Sequence, residues 1–240
     1  MPAAETAAIV INASEGVEEM ARRMMKAAHD RRMCRMIIVN RIDAEGVDLE
    51  KVFNEIQEAF GKECLPMNLP SADGSKVVDC FFQLEGDETA FSSVPEAHTQ
   101  IVDQVVEVDE ALMEIYLEQG EELEPEQLHD PFEKALREEH LIPVCFVSAE
   151  TGVGIRQLLQ IFERLMPNPS EANPPIFLKG EGPDAKEIVL SPDPEAHAIA
   201  HVFMVNIDPF KGRLALFRIH QGTISAGNQL FIGDARKPFK

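Results

Sequence analysis

Three times along this chain a short, almost wholly apolar run is followed by a stretch with helical periodicity, and that recurrence restricts the fold more than any other feature. Thr6 to Asn12 (TAAIVIN) has the character of a strand covered on both faces, and Ser14 with Glu15 opens a helical stretch to about Asp30. Arg35 to Val39 (RMIIV) is a second such run. Asp48 is placed to cap the helix that follows it, which runs through Phe60 with Val52, Phe53, Ile56, Ala59 and Phe60 on one face. The third unit comes much later, with Val144 to Val147 as strand and Gly154 to Met166 as helix. Ile155, Leu158, Leu159, Phe162 and Leu165 follow its helical period. Strands that alternate with helices in this way pair in parallel and bury both faces, so the expected class is α/β.

Between the second and third units lie roughly eighty residues, far more than the ~2–6 residues of an ordinary helix-to-strand loop, so this stretch must carry structure of its own. Its first part alternates strand-like runs (Lys76 to Leu84) with the turn residues Asp73, Gly74 and Gly86. Its second part, about Glu96 to Gly120 and Pro125 to Glu139, reads as acidic amphipathic helices with an apolar stripe of Ile101, Val105, Val108, Leu112 and Ile115. After Met166 the prolines Pro167, Pro169, Pro174 and Pro175 make a stiff connector. Beyond it the period switches to two, in Ile199 to Ile207, Leu214 to Ile219, Thr223 with Ile224, and Gln229 to Ile232. A closed barrel needs about five strands or more, so these strands are expected to form an incomplete β-barrel. The expected division is therefore sheet domain 1–62, inserted subdomain 63–140, last strand and helix of the sheet domain 141–167, linker 168–198 and barrel start 199–240.

Composition narrows the function classes. A net charge of −20 over 240 residues argues against broad affinity for bare nucleic acid, DNA included, because phosphate neutralisation needs clustered Lys and Arg. The charge is uneven, with fourteen acidic and two basic residues in 101–140 but six basic and two acidic in 201–240. Cys34, Cys64, Cys80 and Cys145 form no C-x-x-C pair and sit in apolar runs, which reads as buried thiols in a reducing cytoplasm, with no metal. His197 and His201 flank a strand start, where a four-residue spacing does not favour a shared ligand. Met1 to Asn12 carries no charged leading region, and no run reaches the ~18 apolar residues of a membrane span, so neither a signal nor an anchor is expected.

Two short motifs stand at the carboxyl ends of predicted strands, where open parallel sheets bind ligands: Asn40-Arg41-Ile42-Asp43 after the second strand and Ser148-Ala149-Glu150 after the third. A guanine edge offers two donors that one carboxylate accepts together, and an acceptor, O6, that a backbone N–H satisfies; adenine has the opposite pattern. The two motifs resemble the base-recognition motifs of guanine-nucleotide-binding proteins. That resemblance implies that Asp43 grips the guanine edge, Asn40 ties the neighbouring loop, the Ala149 N–H meets O6, and Ser148 helps to hold the Asp43 carboxylate. The family usually has Lys where this chain has Arg41, its stem lying over the base, and a guanidinium can stack there too.

Longer stretches extend the likeness. Val106 to Leu117 (VEVDEALMEIYL) is similar to the insert helix of the translational GTPases of the elongation factor G kind. Ile142 to Leu165 resembles their last strand and helix, and Asp208 to Leu214 with Phe217 to Thr223 looks like the opening of their barrel domain. The resemblance implies a partial P-loop-GTPase-type sheet, GTP or GDP with Mg and the ribosome as partners of a parent protein, and Lys211, Arg213 and Arg218 as exposed strand charges or a surface facing ribosomal RNA. No G-x-x-x-x-G-K-[ST] phosphate loop occurs, and the family's D-x-x-G turn near the γ-phosphate and its magnesium-binding Thr are missing too. The expectation is an interior piece that carries guanine recognition, has no catalytic residue, holds no bound cofactor and is not itself hydrolytic. The alternatives are a ribosome-associated or regulatory interaction module that keeps the fold without hydrolysis, and a release-factor or ribosome-protection GTPase.

Overall fold

A computed structural model of the chain describes residues 3–86, 88–119, 123, 125–173, 175–180, 182–232 and 238. Outside the described residues lie Gly120, acidic residues 121, 122 and 124, Pro174, and residues 233–237, 239 and 240 with the basic charges of that end. The chain divides into two compact units, Glu5–Asn173 and Pro174–Lys240, the latter joined by Met1–Ala4.

In the larger unit, β1 (Thr6–Asn12), α1 (Glu19–His29), β2 (Cys34–Asn40) and α2 (Leu49–Phe60) follow the expected order. Then come β3 (Cys64–Pro66), β4 (Asn68–Pro70), β5 (Val77–Asp79), α3 (Val94–Val106), α4 (Glu110–Gln119), α5 (Pro125–Arg137), β6 (Ile142–Val147) and α6 (Ile155–Arg164). The main sheet is parallel, in the order β1-β2-β6-β3. β3 is an edge strand of this sheet although the sequence assigns its residues to the insertion; three residues with Pro at the end are too short to show a strand period.

Strand alternation sorts the core into two layers. Met36 and Ile38 of β2 with Cys145 and Val147 of β6 belong to one cluster, whereas Ile37, Val39, Val144 and Phe146 belong to the other. The second layer is covered by α1 and α2 through Ala21, Met25, Val52, Phe53 and Ile56. The first is covered by α6 and by the inserted helices, through Ala97, Ile101, Val105 and Phe132. The insertion is thus a covering layer of the sheet. Its Phe91 also reaches the opposite layer, where the ring stacks on Phe53 at 5.1 Å and meets Phe146 edge-on at 5.6 Å.

Local chemistry sets the helix ends. Asp48 caps α2 by accepting the Lys51 N–H at 3.0 Å. α1 starts at Glu19, later than expected, because Asn12 holds a turn there: its carbonyl accepts the N–H groups of Glu15 and Gly16, and its side chain that of Ser14. The helix expected over 96–120 is broken in two, since Asp109 accepts the Leu112 N–H at 3.0 Å and starts α4. In α6 the buried positions are Leu158 and Ile161, with Leu165 buried just past its end, while Leu159 and Phe162 are exposed, so the expected apolar stripe is rotated toward Ile161.

The smaller unit holds a hairpin of β7 (Phe177–Lys179) and β8 (Lys186–Ile188) inside the stretch read as linker. It also holds a long antiparallel pair, β9 (Ile199–Asp208) and β10 (Gly212–Gln221). Asp208 shapes their turn by accepting the N–H groups of Phe210 and Lys211. Residues 223–224 and 229–232, expected as strands, contribute only an isolated bridge at Leu230. His201 packs edge-on against the Phe177 ring. No helix among the described residues is long and apolar enough to cross a membrane. All four cysteines are buried free thiols, and burial pushes Cys64 and Cys80 up to about 12.

A carboxyl pair ties α5 to the turn after α6. Glu133 is buried, and its carboxyl is pushed up to about 7, first by burial and then by the adjoining Glu171 carboxylate; His129 and Arg137 oppose the rise. Glu171 is held low, chiefly by the Asn168 N–H at 2.7 Å. Glu133 therefore keeps the shared proton and donates it. A carboxyl with a raised folded-state pKa stabilises fully below its ordinary value of 4.5, and loses that contribution as pH rises through about 7. Glu133→Gln does not ionise and still offers a donor, so its stability should fall less than the native protein's between about pH 5 and about pH 8. Thermal midpoints at both pH values check this, and parallel losses in the two proteins would refute it.

Candidate functional site

β2 and β6 run side by side in parallel with Asn40 opposite Val147, so the segments that follow them leave the same edge of the sheet together. Asn40 closes the gap directly, its side-chain oxygen accepting the Ala149 N–H at 3.0 Å. The main chains are tied as well. Ile42 N–H points to the Val147 carbonyl at 3.4 Å, and the Asn40 carbonyl accepts the Ala13 N–H at 2.9 Å, which brings the end of β1 to the same edge.

The Asn40–Asp43 loop turns sharply. Arg41 takes a positive φ of 65°, and Ile42 buries its side chain beneath, which leaves the flanking Arg41 and Asp43 exposed to solvent. Asp43 makes no hydrogen bond or ion pair among the described residues. The second loop is a compact turn, in which Ser148 donates its N–H to Val153 and accepts from Gly152 at its carbonyl. Gly154 closes it with φ +74°, where a Cβ would overlap the Phe146 carbonyl oxygen, so the turn requires glycine.

Two of the expected groups hold partners within the protein itself. The Ser148 hydroxyl is buried and accepts the Thr151 N–H at 3.3 Å, which stabilises its own turn and not Asp43. The Ala149 N–H, assigned by resemblance to a base oxygen, is satisfied by Asn40. The register explains this: Asn40 lies opposite the residue just before Ser148, within reach of the first free donor of the turn. The structure thus brings Asn40, Ser148 and Ala149 together, with Arg41 and Asp43 on the exposed rim beside them.

Sequence reading missed Asn68, a polar group near the site that is buried as deeply as Ser148. It is 1 % exposed, donates through Nδ2 to the Phe146 carbonyl at 3.0 Å, and accepts the Phe146 N–H at 2.7 Å. Its side chain imitates a neighbouring strand for one residue of β6. A polar residue between apolar Met67 and Leu69 was the available signal, since a buried amide must find partners.

Removing the Asn40 side chain should release the Ala149 amide. Asn40→Ala is expected to cost about 1 kcal/mol of stability and to speed hydrogen exchange at Ala149. Unchanged exchange at that amide would show that the bond does not hold the two loops.

Comparison with known proteins places this geometry in a family. The profile described as "Elongation factor Tu GTP binding domain" matches residues 1–168. The chain is similar to elongation factor G of Fervidobacterium nodosum, at 29 % identity over 240 residues, covering 92 % of this chain and 34 % of that protein. An elongation factor G-like protein of Mycobacterium tuberculosis is 31 % identical over 234 residues, with 92 % and 32 % covered. A crystal structure of a Thermus thermophilus protein superposes with a TM-score of 0.69 at 28 % identity, covering 95 % of this chain and 33 % of the other. The chain spans about a third of the length of these relatives. With the family profile covering residues 1–168 and a parallel α/β sheet beneath the match, this chain belongs to the elongation factor Tu GTP-binding domain family.

Proposed function

We propose that the two loops at the carboxyl edge of β2 and β6 recognise a guanine base, as part of a translational GTPase of the elongation factor G kind that acts on the ribosome during translocation. The observation that carries this reading is the meeting of Asn40 with Ala149 beside an exposed, unbonded Asp43 among the described residues. Asp43 accepts the N1–H and the exocyclic amine together, which the acceptor-only chemistry of a carboxylate suits and an adenine edge would not satisfy. Arg41 lays its stem and guanidinium over the ring. Asn40 presets the distance between the loops, and the Ala149 N–H turns from Asn40 toward the base oxygen on binding.

GTP with magnesium supplies the phosphoryl chemistry in the parent protein, and the groups that cradle the phosphates belong to segments outside these residues. β1 supports this reading, since it is an edge of the sheet among the described residues, with Val10 60 % exposed on its uncovered face and Met20 and Met24 exposed on α1. Such an edge suits a further strand. The site of action is the cytoplasm, and the exposed Lys211 and Arg213 at the β9–β10 turn supply cationic contacts to ribosomal RNA in this reading.

The chain by itself should show negligible GTP hydrolysis and only feeble GDP binding, because charge-assisted phosphate contacts supply much of a nucleotide's affinity. Calorimetry checks this, and micromolar GDP binding by the chain would contradict it. In the complete parent protein, Asp43→Ala removes two charge-assisted hydrogen bonds, an expected loss on the order of 3–5 kcal/mol in guanine binding. Equal GDP affinity in the native and substituted proteins would refute the assignment of the base site.

A further inference from the structure

The β4–β5 hairpin touches one candidate loop and the strand that leads into the other. At its base, the buried Asn68 is bonded twice to Phe146, and the Met67 N–H donates to the Val144 carbonyl at 2.9 Å, so the hairpin hangs on the strand that leads into Ser148 and Ala149. At its tip, Gly74 lies against the other loop. A Cβ built on Gly74 would overlap the Ile42 carbonyl and stand 2.9 Å from the Asp43 nitrogen, and the residue has a φ of +66°. Only glycine allows the turn to approach the main chain this closely.

The turn is braced for such a contact. The Ser71 hydroxyl donates to Asp73 at 2.6 Å, Asp73 accepts the Ser75 N–H at 3.0 Å, and the Ser71 N–H donates to the Lys76 carbonyl at 3.0 Å. These bonds fix where Gly74 sits, independently of the loop it meets.

We propose that the β4–β5 turn is a positioning element for guanine recognition, with Gly74 as the residue that sets the height of the Ile42–Asp43 peptide and thereby the aim of the Asp43 carboxylate. This rests on the base-recognition reading above and adds to it a role for the insertion: one hairpin spans the loop carrying Asp43 and the strand that leads into Ala149, and so holds the two sides of the base site at a fixed separation. Affinity for the base then depends on a turn that does not itself touch the ligand.

The test is a nitrogen-15 spectrum of the chain titrated with GDP to millimolar concentration, with ADP as the wrong-base probe. In the native protein the Asp43 and Ala149 amides should respond to GDP and not to ADP. Gly74→Ala should displace the Asp43 amide before any nucleotide is added, and weaken the GDP response by about threefold to tenfold, the scale of one misaligned hydrogen bond. Ser71→Ala loosens the brace without adding an atom at the contact, and should move the same amide with a smaller loss. Gly212→Ala, at φ +81° with nothing within 4 Å, carries the same backbone strain elsewhere and should change neither readout. If Gly74→Ala loses the dispersed spectrum of a folded sheet, Ser71→Ala decides the matter. Native-like Asp43 shifts and titration in the Gly74 and Ser71 variants overturn the positioning role while leaving base recognition standing. A native protein in which GDP moves neither amide overturns base recognition, and the inference with it.

Discussion

The parallel pairing of β2 with β6 is the constraint on which everything else in the larger unit depends. The two strands are separated in sequence by the whole insertion, yet Asn40 lies opposite Val147, and the Asn40 side chain bonds to the Ala149 amide at 3.0 Å. Closing so long a loop costs conformational entropy that rises only slowly with length, and burial on both faces of the sheet offsets it. Once Ile37, Val39, Val144 and Phe146 share one layer, and Met36, Ile38, Cys145 and Val147 the other, slipping β6 by one residue would exchange the layers. Register therefore fixes the position of Ala149 relative to Asn40 before any ligand contributes.

The insertion follows from the same constraint. A parallel sheet needs helices on both faces, and α6 alone cannot cover the layer containing Met36, Ile38 and Cys145. α3 and α5 complete the cover through Ile101, Val105 and Phe132, and Lys134 of α5 donates to the Val108 carbonyl where α3 gives way to α4. Most of the described acidic side chains of this segment lie at the solvent surface, while two are buried: Asp79, which accepts the N–H groups of Phe81 and Phe82, and Glu133, whose burial is eased by sharing a proton with Glu171. An element that reads as an addition in sequence is, in packing, half of the roof.

Much of this was legible in the residues. The three apolar runs gave the strands β1, β2 and β6, and Asp48 marked the start of α2, because a doubly covered strand and a capped helix both leave local signatures. What escaped notice was short or depended on distant partners. β3 joins the sheet through three residues, too few for a period. The face of α6 was misjudged because Leu159 and Phe162 are as apolar as Ile161, and periodicity cannot say which of two adjacent apolar stripes faces the sheet. The strands expected at 223–224 and 229–232 alternate suitably but find only a bridge, since a strand exists by virtue of its neighbour. At the candidate site the motif positions were readable. The local bond between Ser148 and Thr151 and the contact of Gly74 with Ile42 were not, since both depend on turn geometry that composition does not encode.

The amide of Asn68 carries a chemical vulnerability. It stands in for a peptide unit, with its nitrogen giving to the Phe146 carbonyl and its oxygen taking from the Phe146 N–H. Hydrolysis of that one side chain to a carboxylate would keep the acceptor but replace the donor with a second oxygen, aimed at a carbonyl in a dry interior. Deamidation is thus an ageing reaction to which this arrangement is intolerant, and seclusion from water by Met67, Leu69 and the rest of the core is what keeps the molecule's clock from starting there.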